Sequence, residues 1–197
     1  MSVDDETLKT YGEMAGDYVK LVESAREDPQ LTAFVGALRQ GARVLDLGCG
    51  PGHAAALMAK AGMRVDATDA CPEMVALAAG QEGVNVRIAT FDEIAGRNIY
   101  DGIWANFSLL HAPRSEMPRH LTALRQALKP GGLFHIALKA GAGEKRDTLG
   151  RLYTYYSEAE LSGLLKDAGF VPFSCVHGDG RGMDGKKADW IAIAAHG

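Results

Sequence analysis

Val44-Leu45-Asp46-Leu47-Gly48-Cys49-Gly50-Pro51-Gly52 is the stretch that decides the fold. Val44, Leu45 and Leu47 are branched aliphatics, as expected of a strand covered on both faces. Three glycines follow at alternate positions, turn the chain sharply and leave the turn bare of side chains. Ala54 to Lys60 then reads as a helix. Strand, bare turn and helix make a shelf on which a ligand can lie against backbone N–H groups. Two details narrow this. The spacing is Gly-x-Gly-x-Gly rather than the Gly-x-Gly-x-x-Gly of dinucleotide-binding turns. Asp46 lies inside the strand itself, where burying a carboxylate is costly unless it is satisfied.

Upstream, Leu8, Tyr11, Ala15, Tyr18, Val19 and Val22 are spaced for one helix over Thr7 to Arg26, with Gly12 or Gly16 as points of breakage. After Asp28-Pro29, Leu31 to Leu38 reads as a second short helix ended by Gly41. Downstream, Met63 to Ala67 is a strand ending in Thr68-Asp69, and Pro72 opens a helix over Glu73 to Ala79. Val84 to Ile88 and Asp101 to Ala105 are the third and fourth strands. Ser115 to Leu128 is helical, and Lys129-Pro130-Gly131-Gly132 turns the chain into a fifth strand, Leu133 to Leu138. Lys139 to Gly150 is a polar, glycine-rich loop. Ser157-x-x-Glu160 is a capping box opening a helix that ends near Gly169. Phe170 to Val176 and Trp190 to Ala194 are two last strands, antiparallel because only a loop joins them. Strands alternating with helices imply a parallel sheet with helices on both faces, a three-layer α/β arrangement.

The 197 residues suit one domain, read as an N-terminal helical cap over 1–40 and a core over 41–197. Hydrophobic residues make up 47% and the net charge is −4, so the chain is globular and nucleic acid is not an expected partner. No apolar run reaches the ~20 residues that span a membrane. Met1 to Glu6 is acidic and unlike a secretory signal. Cys49, Cys71 and Cys175 are odd in number and widely spaced, which fits free thiols in the cytoplasm. The six histidines show no metal-ligand spacing and there is no Cys-x-x-Cys, so no metal is expected.

In an open α/β sheet the ligand lies at the carboxyl ends of the strands, where the strand order reverses. Asp69 ends the second strand about twenty residues past Gly48, the placement of a carboxylate that accepts from both hydroxyls of a ribose. Together these residues resemble class I S-adenosylmethionine-dependent methyltransferases, whose first motif reads roughly V-L-D-L-G-C-G-x-G. The resemblance covers Ala42 to Leu138 most closely. It implies a Rossmann-like fold with a seven-stranded sheet of order 3-2-1-4-5-7-6, strand 7 antiparallel, and an N-terminal helical lid.

The same resemblance assigns the cofactor site. Asp46, Gly48, Cys49, Gly50 and Gly52 would face the methionine end of S-adenosylmethionine. Asp69 and Ala70 would hold the ribose, and Asp92 would accept from the adenine amino group. Met74 and Phe91 would pack on the adenine faces, although both also suit a core. Ala105 and Asn106 would approach from the far side. Tyr11 and Tyr18, seven apart and so on one helical face, either close over the cofactor or serve as packing residues.

Methyl transfer from a sulfonium is a displacement, so the protein must chiefly align nucleophile, methyl and sulfur. Acceptor groups should follow strands four and five. His111, in Leu109-Leu110-His111-Ala112-Pro113-Arg114, is a base, an acceptor ligand, or a histidine tying the loop backbone. Lys139, Glu144, Lys145, Arg146 and Asp147 crowd the next loop, followed by Tyr153, Tyr155 and Tyr156. Leu138-Lys139-x-Gly-x-Gly-Glu144-x-Arg146 with the tyrosines resembles a bacterial methyltransferase subgroup of unassigned substrate. His111, Arg146 and Tyr153 are therefore the candidate acceptor-side residues, and an arginine fork would suit a small acceptor bearing carboxylate or phosphate. No Asn-Pro-Pro-Tyr-type tetrapeptide follows strand four, unlike DNA-adenine methyltransferases. Two other functions compete: a non-catalytic S-adenosylmethionine sensor, whose binding motifs would be the same, and a nicotinamide-dependent oxidoreductase with Asp69 on its cofactor ribose, which the glycine spacing and Asp46 disfavour.

Overall fold

The structure is a computed structural model that describes residues 4–23 and 28–197. The helix read over Thr7 to Arg26 is two: α1 (Asp5–Glu13) and α2 (Ala15–Glu23), broken at Met14, and the last residues of that stretch lie outside the described ones. Asp4 caps α1 by accepting from the Thr7 N–H at 2.8 Å. The remaining elements are α3 (Pro29–Gly36), β1 (Arg43–Leu47), α4 (His53–Lys60), β2 (Arg64–Asp69), α5 (Pro72–Ala78), β3 (Val84–Ile88), β4 (Tyr100–Asn106), α6 (Met117–Ala127), β5 (Leu128–Lys139), β6 (Glu144–Arg146), β7 (Leu152–Thr154), α7 (Glu158–Asp167), β8 (Val171–Arg181) and β9 (Lys187–His196).

Seven strands form one sheet in the order β3-β2-β1-β4-β5-β9-β8. The first five run parallel, and β9 lies antiparallel between β5 and β8. This is the expected order, with β9 and β8 as its last two strands.

Alternation along β1 and β4 splits the core into two clusters. Leu45, Leu47, Ile103 and Ala105 pack under α6 and α7 with Leu121, Leu124, Leu161 and Leu165. Val44 and Trp104 point the other way, against Leu31 and Phe34 of α3 and Ala55 and Met58 of α4. Asp46 shares the face of Val44, two residues away, and so lies beneath α4. Ser157 and Glu160 form the expected reciprocal cap of α7, the Ser157 N–H donating to Glu160 Oε2 at 2.8 Å.

Two differences from the sequence reading stand out. Lys129-Pro130-Gly131-Gly132 is not a break before β5: Leu128 already pairs with Tyr100, and a register shift carries the strand past Gly131 at φ +72°. The loop after β5 holds a second, two-stranded sheet of β6 and β7. Glu144–Arg146 is wholly charged and exposed, so no hydrophobic alternation announced it. Among the described residues no helix is long and apolar enough to cross a membrane.

Candidate functional site

A cleft opens at the carboxyl ends of β1, β2 and β4, with α1 and α2 forming its outer wall. Its floor is the glycine turn. Gly48 has φ +68°, and a Cβ there would overlap the Ser108 side chain. Gly50 has φ +54°, and a Cβ there would stand 3.2 Å from the Tyr18 ring. The turn therefore supplies clearance more than free N–H groups. Gly48 and Cys49 both donate to the Thr68 carbonyl, at 2.7 and 2.9 Å, and Gly50 donates to Asp69 Oδ2 at 2.8 Å. The shelf of ligand-facing N–H groups expected from the sequence is thus largely spent within the protein.

Asp69 is the brace of this end. Its second oxygen accepts from the Cys71 N–H at 2.9 Å, so one carboxylate ties the β1 and β2 turns together. Burial pushes its pKa up while these backbone donors oppose the shift. The Ala70 backbone also contributes, and of the four lone-pair sites of the carboxylate at least one remains for a ligand. Asp46 lies behind the turn, buried, with Oδ2 lacking any hydrogen-bond partner. Burial, then the charge of Asp69, raises its pKa to about 7, against a contact from the Ala55 backbone. Ser108 Oγ is a second buried oxygen without a partner, and Ser108 lies on the cleft wall. Phe107 beside it takes the left-handed region at φ +54°, a conformation that costs a non-glycine residue about 1–3 kcal/mol.

Of the residues singled out from sequence, Tyr11, Tyr18, Gly48, Gly50, Asp69 and Ala70 line the cleft, as do Met74, Phe91 and His111. Others do not reach it. Cys49 is buried beside the turn, and Gly52 caps α4 with its open side toward Ala78. Ala105 is wholly inside the core, and Asn106 Oδ1 accepts from His135 Nε2 at 3.1 Å. Asp92 is held by Arg119, which also pairs with Glu116. Arg146 does not line the cleft: it donates to Asp4, itself on the cleft wall, at 2.7 and 2.9 Å and lies 3.1 Å from Glu6, clasping the start of α1. Thr7, Leu8 and Cys71 belong to the wall and had not been singled out. Thr7 and Leu8 share one face of α1 with Tyr11, a signal the helical spacing carried.

The far end is built by distant segments. His111 Nδ1 lies 2.6 Å from the Leu152 carbonyl and Nε2 lies 2.9 Å from the Tyr11 hydroxyl. A carbonyl only accepts, so Nδ1 carries the proton, Nε2 offers its lone pair, and Tyr11 O–H donates to it. Arg151, outside the sequence selection, donates from Nη1 to the Tyr11 oxygen at 3.1 Å. Its Nε and Nη2 grip Asp147 at 3.0 and 2.6 Å in an ion pair that is 1% and 5% exposed. Tyr153 packs behind, its ring 4.7 Å from that of His111, with Lys139 Nζ 3.8 Å over the Tyr153 ring. Burial, assisted by the Arg151 and Lys139 charges, lowers the His111 pKa to about 4. Thr7 Oγ1 accepts from the Leu152 N–H at 2.8 Å and Thr10 donates to the Leu149 carbonyl at 2.9 Å, completing the clasp on α1.

Among the described residues two trios bring potential metal-ligating atoms within 4.8 Å of one another, Glu158 with Cys175 and His177, and Asp92 with Glu116 and His120. Neither supplies a residue to the cleft wall.

A family model described as a methyltransferase domain matches residues 23–174. The chain belongs to that family. The cofactor of this class I family is S-adenosylmethionine, with S-adenosylhomocysteine as product. The chain is 33% identical over 123 residues to a ubiquinone biosynthesis O-methyltransferase of Cereibacter sphaeroides, covering 60% of this chain and 49% of that protein. It is 35% identical over 104 residues to the protein of the same name from Xanthomonas oryzae, covering 49% and 43%. The methyltransferase-domain chain thus spans about half the length of these curated relatives or less. It superposes with a TM-score of 0.78 and 26% identity on the 1,6-didemethyltoxoflavin-N1-methyltransferase of Burkholderia thailandensis, solved with 1,6-didemethyltoxoflavin and S-adenosylhomocysteine, covering 97% of this chain and 87% of that one.

Proposed function

We propose that the protein transfers the methyl group of S-adenosylmethionine to a small-molecule acceptor by direct in-line displacement. The observation that carries this is the braced turn: a glycine floor cleared of side chains, tied by the Asp69 carboxylate that still has a lone pair for a ligand in the cleft. Asp69 would hold the ribose hydroxyls, and Met74 and Phe91 the adenine faces. The partnerless Ser108 Oγ on the cleft wall suits the polar methionine end, where a bound ammonium would satisfy it, with Asp46 buried behind the turn. Asp92, if it meets the adenine amino group, must share its carboxylate with Arg119.

The bound cofactor supplies an activated methyl group; alignment is left to the protein. α1, with Tyr11 over the cleft, would act as the lid and exclude water. His111 would form the acceptor wall, with buried Tyr153 packed behind it. Arg146 is committed to α1, and Arg151, its Nε and Nη2 held by Asp147, presents Nη1 beside the Tyr11 hydroxyl. The names of the relatives, and the heteroaromatic ligand of the similar solved structure, support a small acceptor. Three free thiols support a reducing, cytoplasmic setting.

Calorimetry should show S-adenosylmethionine and S-adenosylhomocysteine binding, with none for NAD(H) or NADP(H). Transfer of labelled methyl to a panel of small acceptors then separates an enzyme from a sensor. Binding of NAD alone would overturn the assignment.

A further inference from the structure

The Tyr11 hydroxyl sits between two groups of unlike character. His111 Nε2 offers a lone pair at 2.9 Å and Arg151 Nη1 a cationic N–H at 3.1 Å, and Tyr11 and His111 both face the cleft. Neither group is placed by chance. The Leu152 carbonyl fixes the imidazole tautomer, and buried Asp147 fixes the guanidinium. A buried ion pair is costly to desolvate and contributes little net stability over an apolar filling, so its retention beside the cleft asks for a role.

Resting on the methyltransferase assignment, we propose that the place filled by the Tyr11 hydroxyl is the seat of the acceptor's reacting atom, and that the acceptor is an acidic hydroxyl, a phenol or enol, which takes the seat when Tyr11 withdraws. The chemistry of the two groups excludes the alternatives. A carboxylate would face the Nε2 lone pair with no proton to give. An amine would have the lone pair it needs for attack occupied by the Arg151 N–H. A hydroxyl gives its proton to Nε2, accepts from Arg151, and keeps a second lone pair for the methyl group. In the step the O–H proton passes to His111 Nε2. The new C–O bond forms as the C–S bond breaks, its electron pair staying on sulfur, and the imidazolium later loses its proton to water.

The groups facing His111 are Tyr11 from α1, Lys139 from β5, Asp147 and Arg151 from the loop, and Tyr153 from β7. With two cations among them the imidazole is neutral at ordinary pH, so its Nε2 lone pair is open to a donor. Negative charge forming on the seated oxygen favours the imidazolium, while Arg151 favours the oxyanion.

The test uses full-length protein loaded with S-adenosylhomocysteine and 4-nitrophenol as the probe, its ionisation read from nitrophenolate absorbance against pH. The bound probe should ionise about one pH unit or more below the free one, as beside a cationic donor. Tyr11→Phe removes the built-in occupant and should bind the probe at least about fivefold more tightly, because two buried polar groups are left seeking a partner. Arg151→Lys should reduce the ionisation shift. 4-Nitroaniline, the same shape with an amine, should bind more weakly and gain nothing from Tyr11→Phe. No ionisation shift, or no tighter phenol binding by Tyr11→Phe, overturns the seat; equal gains for the aniline overturn the hydroxyl. Failure to bind S-adenosylhomocysteine in the same calorimetry would strike instead at the underlying function. If Arg151→Lys does not fold, the Tyr11→Phe and aniline arms still decide.

Discussion

The two ends of the cleft are made in opposite ways. The end at β1 and β2 is built from backbone and one carboxylate: the glycine turn, the Thr68 carbonyl and Asp69 lie on adjacent strands. The end at His111 is built by side chains of α1, the turn after β4 and the β6–β7 segment reaching for one another and for backbone, with the partners of α1 there lying 100 to 145 residues away. A turn made from backbone leaves little room for substitution, whereas a cluster made from side chains can change its members without changing the sheet. One fold can therefore keep a cofactor and exchange acceptors.

The contrast predicts a ranking of substitutions. Gly48→Val should do the most combined damage, to the fold and to cofactor binding together. A β-branched residue at φ +68° loses about 1–2 kcal/mol to the left-handed backbone, and overlap with Ser108 adds about 1–3 kcal/mol of overpacking. Thermal melts and S-adenosylhomocysteine calorimetry should both register it, and a variant of wild-type stability would show that the turn is more plastic than a backbone-built site should be. At the other end, Arg151→Met strands buried Asp147 and should destabilise by about 3–5 kcal/mol in urea unfolding. Adding Asp147→Leu should restore most of that loss, because the cost lies in the orphaned charge. If the double variant is no better than the single, the pair holds the fold in its own right.

Asp69→Ala comes next. It removes a charged acceptor from two backbone donors and, in the proposed complex, from the ribose. Hydrogen bonds to charged groups contribute about 1.5–3 kcal/mol each, so cofactor affinity should fall at least about tenfold. Unchanged affinity by calorimetry would displace the ribose from this carboxylate.

A subtler difference is written in pH. Asp46 has a folded pKa raised to about 7 from 3.8, so the native state binds more protons than the unfolded one between these values and stability falls as pH rises through them. His111 has a folded pKa lowered to about 4 from 6.5, so there the unfolded state binds more protons and stability rises with pH. Between pH 4 and 6.5 the two ends oppose each other. In denaturant titrations, Asp46→Asn should make the stability of the protein climb more steeply with pH in that window relative to wild type. His111→Gln should tilt it the other way. Parallel curves for wild type and both variants would mean that neither group titrates as placed.

The smallest effect should come from Arg146→Ala. The residue is half exposed and clasps the start of α1, so amide exchange in Asp5–Glu13 should quicken while S-adenosylhomocysteine affinity stays within about fivefold, in keeping with a surface ion pair. A larger loss of affinity would return Arg146 to the site.

The same contrast sets what the sequence could disclose. Val44 to Gly52 and Asp69 were legible because strand, turn and strand-end carboxylate are local patterns whose meeting is fixed by sheet topology. Arg146 was chosen for its charge in a glycine-spaced loop, yet its partner Asp4 lies 142 residues away and no local pattern joins them. Arg151 escaped notice although Asp147-x-x-x-Arg151 is a pair at a spacing that an ion pair can bridge; Gly150 made the stretch read as open loop. Tyr153 and His111 were placed near each other only because both follow strand ends. Asp92 and Asn106 are placed by the family resemblance, and only the structure shows Arg119 and His135 holding their carboxylate and amide oxygens.

α1 has nine residues. Helices shorter than about 12–15 residues are marginal in water on their own. Its helical form is thus borrowed from Thr7, Thr10, Tyr11 and the Arg146 clasp, all of which bind it to the hairpin side of the cleft. If α1 is the lid proposed above, its winding and the closure of the cleft would be one equilibrium, and the dwell time of an enclosed ligand would follow how often these nine residues unravel.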